Sequence, residues 1–291
     1  MSGPGLIEQA LDVIFGAKPK LGPTRLMGIV NVTPDSFSDG GRLADVEAAV
    51  AHGLTLAEQG ADILDIGGES TRPGADPVDM DEEIARTIPV IEGLRAAGWT
   101  GPVSIDTMKP QVARAAVAAG ATIWNDVSAL GFAADSPETA AALGCDVVLM
   151  HMQGEPRTMQ DAPAYADVVA EVAAWLLARA DVAMAAGVAR ERIWLDPGIG
   201  FGKTAAHNLA LTAHLDRLAA TGFPVLYGAS RKRTIQSIDP SATEPGDRLG
   251  GSLALALEAA RRGASIIRVH DVRETAQALK VQAAATAARS S

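Results

Sequence analysis

Polar and charged residues follow short apolar runs at eight places along the chain. One example is DILDIGGESTRPG, residues 62–74, which begins as an alternating apolar run and ends in glycines, hydroxyls and an arginine. Parallel strands of a closed barrel bring their carboxyl ends to one rim, where such groups share a site. The residues at these positions are Asn31; Glu69, Ser70, Thr71 and Arg72; Asp106; Asn125 and Asp126; Met150 and His151; Asp196; Ser230, Arg231 and Lys232; and Arg268 and His270. Each alone could be a cap or turn residue, but eight groups at one rim indicate a binding site.

The types of these residues suit a polar, anionic ligand. Three of them are rich in hydrogen-bond acceptors: Asp106, Asn125 and Asp196. Because buried carboxylates need partners, this set favours a ligand edge dense in N–H donors. Four others are basic and favour phosphate or carboxylate groups on the ligand: Arg72, Lys232, Arg268 and His270. Asn31 suits a Mg²⁺ ion that is held mostly by phosphate oxygens and water. No Ser-His-Asp spacing or obvious covalent nucleophile stands out, so the pattern indicates positioning and electrostatic catalysis on a leaving phosphate.

Two short motifs resemble nucleotide or nucleic-acid signatures but do not match them. The segment DPGIGFGKT (196–204) lacks the phosphate-loop spacing, because Pro197 stands where that motif requires glycine. The segment YGASRKR (227–233) carries three consecutive cations, but the whole chain has a formal net charge of −10 and only 4% aromatic residues. Nucleic-acid-binding modules are usually basic and use aromatic stacking, so a small anionic ligand fits this cluster better.

The composition is typical of an acidic soluble protein with one large α/β domain. Hydrophobic residues make up 48% of the 291 residues, and Ala, Val, Leu and Ile must build the core. Cys145 is the only cysteine, so an internal disulfide is excluded and a buried strand position is expected. The N-terminal segment lacks an early basic region, and Glu8 and Asp12 interrupt its apolar part, which disfavours a secretory signal. No apolar run is long enough to span a bilayer, so we expect a cytoplasmic protein that binds neither membranes nor nucleic acid.

A repeated strand–turn–helix pattern must position the polar residues. We predict strands over residues 26–33, 61–67, 103–107, 122–127, 145–151, 193–198, 224–230 and 266–270. Ala- and Leu-rich stretches with helical spacing separate them, for example VEAAVAHGLTLAEQG at 46–60. This alternation predicts a single (β/α)₈ TIM barrel over residues 25–283, preceded by an N-terminal extension over residues 1–24. The alternative is an open doubly wound sheet, but its G-x-G-x-x-G motif is missing after the first strand.

The segments at the strand ends resemble those of the dihydropteroate synthases, a pterin-binding family of the folate pathway and the target of sulfonamides. They occur in the family's order between residue 26 and about residue 275: MGIVNVTPDSFSDGG, DILDIGGESTRPGA, VSIDT, WNDVS, HMQGEPRTMQ, LDPGIGFGKTAAHN, GASRKR and IIRVHDV. The resemblance implies a TIM barrel that joins p-aminobenzoate to 6-hydroxymethyl-7,8-dihydropterin diphosphate, giving 7,8-dihydropteroate and diphosphate. It also implies a requirement for Mg²⁺, a homodimer, and a C–O bond that breaks largely before the amine attacks.

The resemblance also implies roles for individual residues. The implied pterin pocket contains Asp106, Asn125, Met150, Asp196 and Lys232. The implied p-aminobenzoate pocket contains Phe37, Ser70, Thr71, Arg72, Pro73, Phe201 and Arg233. Diphosphate is implied to contact Asn31, Thr71, Arg72, Arg268 and His270, with Asn31 as a ligand of Mg²⁺. The implied catalytic residues are Asp39, which helps to stabilise a pterin cation, and Lys232, Arg268 and His270. We interpret the remaining candidates as structural: Glu69, Lys203, His151, His207 and His214.

Three other functions are compatible with parts of the pattern. A pterin-binding methyltransferase that transfers a methyl group from methyltetrahydrofolate to a corrinoid shares the barrel and the acidic pocket, but has no need for STRPG or for SRK with RVH. A non-catalytic pterin-binding paralogue could lose loop residues, which are intact here. A nucleic-acid-binding module is disfavoured by the net charge and the scarce aromatics.

The chain departs from the family's pattern at few places. Thr234 stands where the family often has a bulky apolar residue. Arg233 occupies a position that is often Ser or Arg, and the segment SIDPSATEPGDRLGG (237–251) looks individual. These differences concern loop packing and drug sensitivity rather than the reaction.

Overall fold

The structure is a computed structural model that describes residues 24–32, 42–70, 76–154 and 159–288. Its strands are β1 (Arg25–Asn31), β2 (Ile63–Gly67), β3 (Val103–Asp106), β4 (Ile123–Asp126), β5 (Asp146–Met150), β6 (Ile193–Asp196), β7 (Leu226–Tyr227) and β8 (Ile266–Val269). Its α-helices are α1 (Arg42–Glu58), α2 (Met80–Ala96), α3 (Pro110–Ala118), α4 (Ser136–Leu143), α5 (Val168–Ala185), α6 (Ala205–Ala213), α7 (Leu215–Ala219), α8 (Arg233–Ile238), α9 (Leu249–Arg261) and α10 (Val272–Ala287). Every strand lies within its predicted run, except that β1 begins one residue earlier.

The eight strands are parallel and close into a barrel. Neighbouring strands follow the order β6-β5-β4-β3-β2-β1-β8-β7. The two ends of this order meet where Leu195 pairs with Val225 and the Leu195 N–H donates to the carbonyl oxygen of Pro224 at 2.9 Å. Helices follow the strands and cover the sheet, so the predicted (β/α)₈ TIM barrel is confirmed and the open doubly wound sheet is excluded.

The alternation of side chains along the strands explains how the barrel interior carries a site. One interior layer is apolar and consists of Met27, Ile63, Ile123, Val148, Trp194, Leu226 and Ile266. Because successive side chains point to opposite faces of a strand, residues two positions further on line the next layer toward the carboxyl ends. That layer includes Asp65, Asn125, Met150, Asp196 and Arg268. The two-residue alternation that places apolar side chains in the barrel interior therefore also places charged side chains at one end of the barrel.

The helices bury the outer face of the sheet and begin at defined caps. The outward-facing strand residues Leu64, Ile105 and Leu149 are fully buried under the helices. Asp79 accepts a hydrogen bond from the Asp81 N–H at 2.9 Å before α2, and Asp167 accepts one from the Val169 N–H before α5. Such caps fix where each helix starts, and so where each rim loop ends.

Three sequence predictions about the whole chain have different outcomes. Cys145 is buried beside the start of β5, as predicted. No helix in the described ranges is both long and apolar enough to cross a membrane. Of the predicted extension, residues 1–23 lie outside the described residues, so the domain limits of 1–24 and 25–283 stay a prediction.

Candidate functional site

Arg268, on β8, lies between two carboxylates at the carboxyl end of the barrel. Its Nε donates to Oδ2 of Asp65 at 2.6 Å, and its Nη2 donates to Oδ2 of Asp106 at 2.7 Å. Asp65 is fully buried on β2, and Nδ2 of Asn125 lies 3.4 Å from the same Oδ2 atom. Side chains from β2, β3, β4 and β8 thus meet around one guanidinium group. Charge-assisted hydrogen bonds of this kind fix both the orientation and the charge of an arginine.

Burial sets the charge states of the acids in this cluster. It raises the pKa of Asp106 to about 7, although Arg268 opposes the shift. It also raises the pKa of Asp196 to about 6, against the Gly198 N–H and the nearby cations. Burial disfavours the charged form of Arg268, but Asp65 and Asp106 outweigh this effect and raise its pKa above the ordinary value. The two rim carboxylates therefore ionise close to neutral pH, where they become stronger hydrogen-bond acceptors.

An apolar wall lies at the same end of the barrel. It consists of the buried side chains Val127, Met150, Met159 and Phe201, with Met108 and Met152 packed against them. A mostly apolar wall with a few fixed polar groups is the usual composition of a small-molecule pocket. Met150 and Phe201 were predicted from the sequence, whereas Val127 and Met159 were not.

Lys232 joins the apolar wall to the charged cluster. Its Nζ lies 4.2 Å from the centre of the Phe201 ring, which is a cation–π contact. Arg233, the next residue, is exposed at the start of α8. The structure therefore brings Phe201 and Lys232 together and leaves Arg233 beside them in solvent.

Asn208 connects the loop after β6 with α8. Its Oδ1 accepts from the Gly200 N–H at 2.9 Å, and its Nδ2 donates to Oγ1 of Thr234 at 2.9 Å. Both Asn208 and Thr234 are buried. Oγ1 of Thr234 thus satisfies the buried amide of Asn208, which a bulky apolar residue at position 234 could not do.

His270 lies just after β8, against the loop that follows β7. Its main-chain N–H donates to Oγ of Ser230 at 3.2 Å, and its Nδ1 lies 3.0 Å from the same oxygen. The Ser230 hydroxyl can donate to Nδ1, which places the ring proton on Nε2. Burial lowers the pKa of His270 to about 3, and Arg268 adds to the effect. In this environment the ring of His270 is therefore neutral and acts as a hydrogen-bonding group.

Arg231 fixes the loop that carries Lys232. Its φ of +59° lies in the left-handed region, which costs a non-glycine residue about 1 kcal/mol or more. The surroundings hold it there: Arg231 forms a two-point ion pair with Asp271, its N–H donates to Oγ of Ser252 at 2.9 Å, and its carbonyl accepts from Arg248 at 3.0 Å. This network gives the neighbouring Lys232 a defined direction.

Glu69 and Ser70 begin the loop after β2. Oε1 of Glu69 accepts from the Val78 N–H at 3.0 Å, and Oε2 accepts from Nζ of Lys109 at 2.6 Å. Lys109 also donates to the fully buried Glu83 at 2.5 Å. These contacts agree with the orienting role predicted for Glu69. The predicted residues that lie outside the described ranges are Phe37, Asp39, Thr71, Arg72 and Pro73.

Asn31 and Asp126 both end a strand, but their side chains have different roles. Asn31 is half-buried at the rim and pairs in register with Gly67 of β2. Asp126 is fully buried and accepts from the N–H groups of Ser128 at 2.7 Å and Leu130 at 2.8 Å. Asp126 therefore caps a turn, while Asn31 belongs to the rim.

The histidines that the sequence marked as structural have partners that fit that role. Nδ1 of His207 accepts from the Thr204 N–H at 3.3 Å and completes the capping box of α6. His214 ends the same helix. The ring of His151 packs edge to face on Trp175, with centroids 4.9 Å apart.

Asp65 is the main site residue that sequence analysis missed. It stands in the middle of the strand in DILDIGG, where it was counted as part of the alternating run rather than as a rim residue. Its spacing held a signal, because Ile63, Asp65 and Gly67 share the inward face of β2. Its partner Arg268 is 203 residues away in the sequence, and no local pattern identifies a contact over that separation.

A family comparison agrees with this geometry. Residues 27–270 match the sequence profile of the family described as "Pterin binding enzyme". The chain belongs to this family. The match begins within β1 and ends at His270, so it spans the whole barrel that carries the charged rim.

Individual relatives place the chain among the dihydropteroate synthases of this family. The dihydropteroate synthase of Neisseria meningitidis serogroup B is 51% identical over 282 residues, which are 95% of this chain and 94% of that protein. The solved structure of Xanthomonas albilineans dihydropteroate synthase with 4-aminobenzoic acid is 55% identical, has a TM-score of 0.86 and covers 92% of this chain and 94% of that one. A second structure of that enzyme, in complex with 7,8-dihydropteroate, is 52% identical with a TM-score of 0.83, and covers 92% of this chain and 95% of that one.

Proposed function

We propose that the protein is a dihydropteroate synthase, which condenses 6-hydroxymethyl-7,8-dihydropterin diphosphate with p-aminobenzoate to 7,8-dihydropteroate and diphosphate. The observation that carries the proposal is the rim cluster of Asp106, Asn125 and Asp196 with Arg268, in a chain of the pterin-binding family. The acceptors suit the N–H groups along the edge of a pterin. The guanidinium suits the diphosphate group at the other end of the same substrate.

In this proposal the pterin ring lies between the acceptor edge and the apolar wall. Its amino and ring N–H groups donate to the ionised carboxylates Asp106 and Asp196 and to the side-chain oxygen of Asn125. Met150 and Phe201 cover its faces, and Lys232 donates to a ring acceptor. The 4.2 Å contact between Lys232 and the Phe201 ring supports this arrangement, because it holds both groups at one side of the pocket.

The diphosphate is proposed to contact Arg268, His270 and Asn31, together with Thr71 and Arg72 of the loop after β2. Mg²⁺ is part of the proposal, with Asn31 as its protein ligand. The described residues hold no group of three or more His, Cys, Asp or Glu side chains that could bind a metal ion alone. A single neutral oxygen fits a Mg²⁺ ion that takes its other ligands from phosphate and water. When bound, the ion neutralises charge on the leaving diphosphate.

The reaction needs no covalent intermediate with the protein. The bond from the pterin methylene carbon to the diphosphate oxygen breaks, and its electron pair leaves with the diphosphate. The amine nitrogen of p-aminobenzoate then bonds to that carbon and releases a proton. The carboxylates Asp106 and Asp196 stabilise the positive charge on the pterin, while Arg268 stabilises the departing negative charge. Asp39 is proposed to assist the carboxylates from the loop after β1.

The p-aminobenzoate pocket is proposed to lie on the outer side of the pterin site. Phe201 packs against the aromatic ring, and Ser70 and Arg233 lie near its carboxylate. The solvent exposure of Arg233 supports this position, because the carboxylate of the second substrate must face outward. The residues proposed to complete the pocket are Phe37, Thr71, Arg72 and Pro73.

A homodimer and a cytoplasmic location also belong to the proposal. Both are implied by the resemblance to the family. The single cysteine and its buried position are compatible with a reducing compartment. Analytical ultracentrifugation of the purified protein measures directly whether it is a dimer.

The first test is diphosphate release from the purified protein with Mg²⁺ and the pterin diphosphate, with and without p-aminobenzoate. We expect release that depends on p-aminobenzoate. We expect Asp106→Asn and Arg268→Ala each to lower kcat/KM by about a hundredfold or more, because each removes a charge-assisted contact to the reacting substrate. The matched controls are Asp216→Asn and Arg262→Ala, which remove the two members of an ion pair 3.5 Å apart outside the barrel mouth and should preserve activity.

Other outcomes point to the alternative functions. Binding of the pterin without turnover favours a non-catalytic paralogue. Methyl transfer from methyltetrahydrofolate to a corrinoid favours the methyltransferase. Salt-dependent retention of nucleic acid on a filter favours a nucleic-acid-binding module.

A further inference from the structure

Lys203, in the loop after β6, is a buried cation whose three hydrogen-bond positions are filled. Its Nζ donates to the carbonyl oxygens of Phe201 at 2.9 Å and His151 at 3.2 Å, and it lies 2.9 Å from Nδ1 of His151. The residue is 3% exposed. Burial lowers the pKa of His151 to about 3, so its ring is neutral and can accept from the ammonium group.

Among the described residues, no carboxylate is in direct contact with the ammonium group of Lys203. Burial lowers its pKa to about 7, while Asp196 opposes the shift and Lys232 adds to it. A methionine of similar length would fill the same space without the cost of burying a charge. A cation in this position therefore calls for a function beyond packing.

The contacts of Lys203 fasten the loop that carries Phe201 against the end of β5. Two glycines bring this loop unusually close to the neighbouring main chain. A Cβ atom on Gly198, whose φ is +66°, would lie 2.0 Å from the carbonyl oxygen of His151. A Cβ atom on Gly202, whose φ is +61°, would lie 2.3 Å from the carbonyl oxygen of Gln153. Lys203 closes this tight junction and so fixes the main chain at Phe201.

The charge of Lys203 also acts on Asp196, at the start of the same loop. Asp196 is 6% exposed, and its Oδ1 accepts from the Gly198 N–H at 2.7 Å. The cations that favour its ionised form are Lys232, Arg268 and Lys203. Lys232 and Arg268 are both proposed to contact substrate. The three hydrogen-bond positions of the Lys203 ammonium group are filled by contacts within the protein.

We propose that Lys203 is a positioning residue of the substrate site, which fixes Phe201 and, in its charged form, favours the ionised form of Asp196. Its effect on catalysis passes through these two residues and involves no contact with the substrate. The inference rests on the proposed function, because it takes Asp196 as an acceptor for the pterin and Phe201 as a wall of the pocket.

The test measures the dissociation constant of the pterin diphosphate, and KM for both substrates, from about pH 5.5 to about pH 9. The variants are Lys203→Gln, which removes the charge but keeps a donor, and Lys203→Arg, which keeps the charge. Without the charge, the pKa of Asp196 rises further, so a higher pH is needed to ionise it. We expect Lys203→Gln to weaken pterin binding by about tenfold at neutral pH and to recover part of this loss at higher pH. We expect the increase in KM for p-aminobenzoate to be smaller than the loss in pterin binding. Lys203→Arg should keep the pterin binding of the wild type at and below neutral pH, because an arginine at this position stays charged.

The matched control is Arg95→Met at the opposite end of the barrel. Arg95 also donates to main-chain carbonyls, those of Trp99, Gly101 and Gly120. We expect this variant to lower the Tm and to leave the pH profile of binding unchanged. If Lys203→Gln behaves in the same way, Lys203 is only structural and the inference is overturned. An inactive wild type that still binds the pterin would contradict the proposed function alone, since the binding profiles test Lys203 separately.

Discussion

At the scale of single residues, the site is a balance between buried acids and the basic groups that face them. Asp65, Asp106 and Arg268 are joined by hydrogen bonds, and Asp196 lies within the field of three cations. Because these groups are buried or partly buried, water screens their interactions weakly. The loss of one charge therefore changes the pKa of its neighbours, and this is measurable as a change in the pH dependence of ligand binding.

Asp65→Asn tests the balance on the side of Arg268. The charge of Asp65 raises the pKa of Asp106, which burial has already raised to about 7. In the variant this repulsion is lost and Arg268 turns more fully to Asp106. Both changes lower the pKa of Asp106, so Asp106 stays ionised to lower pH. We expect the acidic fall in pterin binding to move to lower pH, measured by calorimetric titration between about pH 5 and about pH 8.

The same variant should bind the pterin more weakly at neutral pH, because Arg268 then competes for Asp106. The direction of its pH shift is opposite to that expected for Lys203→Gln. Asp62→Asn is the control in the same segment, since Asp62 accepts from the Leu26 N–H at 2.8 Å at the other end of the strand pair. An unchanged acidic limb in Asp65→Asn would show that Asp65 does not influence Asp106.

At the scale of elements, buried or partly buried basic residues anchor three of the rim loops. Lys109 ties the loop after β2 to the start of α3, Lys203 ties the loop after β6 to the end of β5, and Arg231 ties the loop after β7 to the start of α10. The strands place the rim, and these side chains fasten the loops that leave it. Hydrogen bonds from these basic side chains at the loop bases therefore help to fix where the substrate-binding residues begin.

Lys109→Met tests how strongly one such anchor holds. Glu83, a partner of Lys109, is fully buried, and its Oε1 has no hydrogen-bond partner among the described residues. Removing the lysine leaves this carboxylate buried without a counter-charge. We expect the free energy of unfolding to fall by about 3 kcal/mol, measured by urea denaturation.

The double variant Lys109→Met/Glu83→Gln separates the anchor from the unpaired charge. We expect it to recover a large part of the lost stability, because the buried carboxylate is gone. Arg114→Met is a control, since it breaks an exposed ion pair with Asp135 and should change stability little. Additive losses in the double variant would mean that Lys109 and Glu83 do not interact energetically.

At the scale of the whole molecule, the sequence predicted the barrel because the strand–helix alternation is a local, repeated signal. It also placed Asp106, Asn125, Asp196 and Arg268 at one rim, since the carboxyl ends of parallel strands coincide. It did not reveal the pairing of Arg268 with Asp65, the neutral state of His270 or the turn-capping role of Asp126. Those depend on distances between segments that are far apart in the chain and on burial, which local patterns do not encode.

The number of paired residues differs between neighbouring strands of the barrel, and the contact between β6 and β7 has the fewest. β7 has only two residues, and β6 meets the chain before β7 through the single pair Leu195 and Val225. The other seams are ladders of several pairs, apart from the two-pair contact of β7 with β8. Local opening is expected where hydrogen bonds are fewest, so the seam between β6 and β7 should open first.

We therefore expect the Leu195 amide to exchange its hydrogen faster than the Leu64 amide. Both are fully buried and both donate to a proline carbonyl, at 2.9 Å for Leu195 and 3.2 Å for Leu64, but Leu64 lies within a continuous ladder. The proposed pterin site joins Asp196 on one side of the weak seam to Lys232 on the other. Saturating pterin diphosphate should slow exchange at Leu195 by about tenfold or more and at Leu64 much less, as measured by hydrogen–deuterium exchange with NMR detection. Equal protection at the two amides, with or without the ligand, would show that the barrel opens only as a unit.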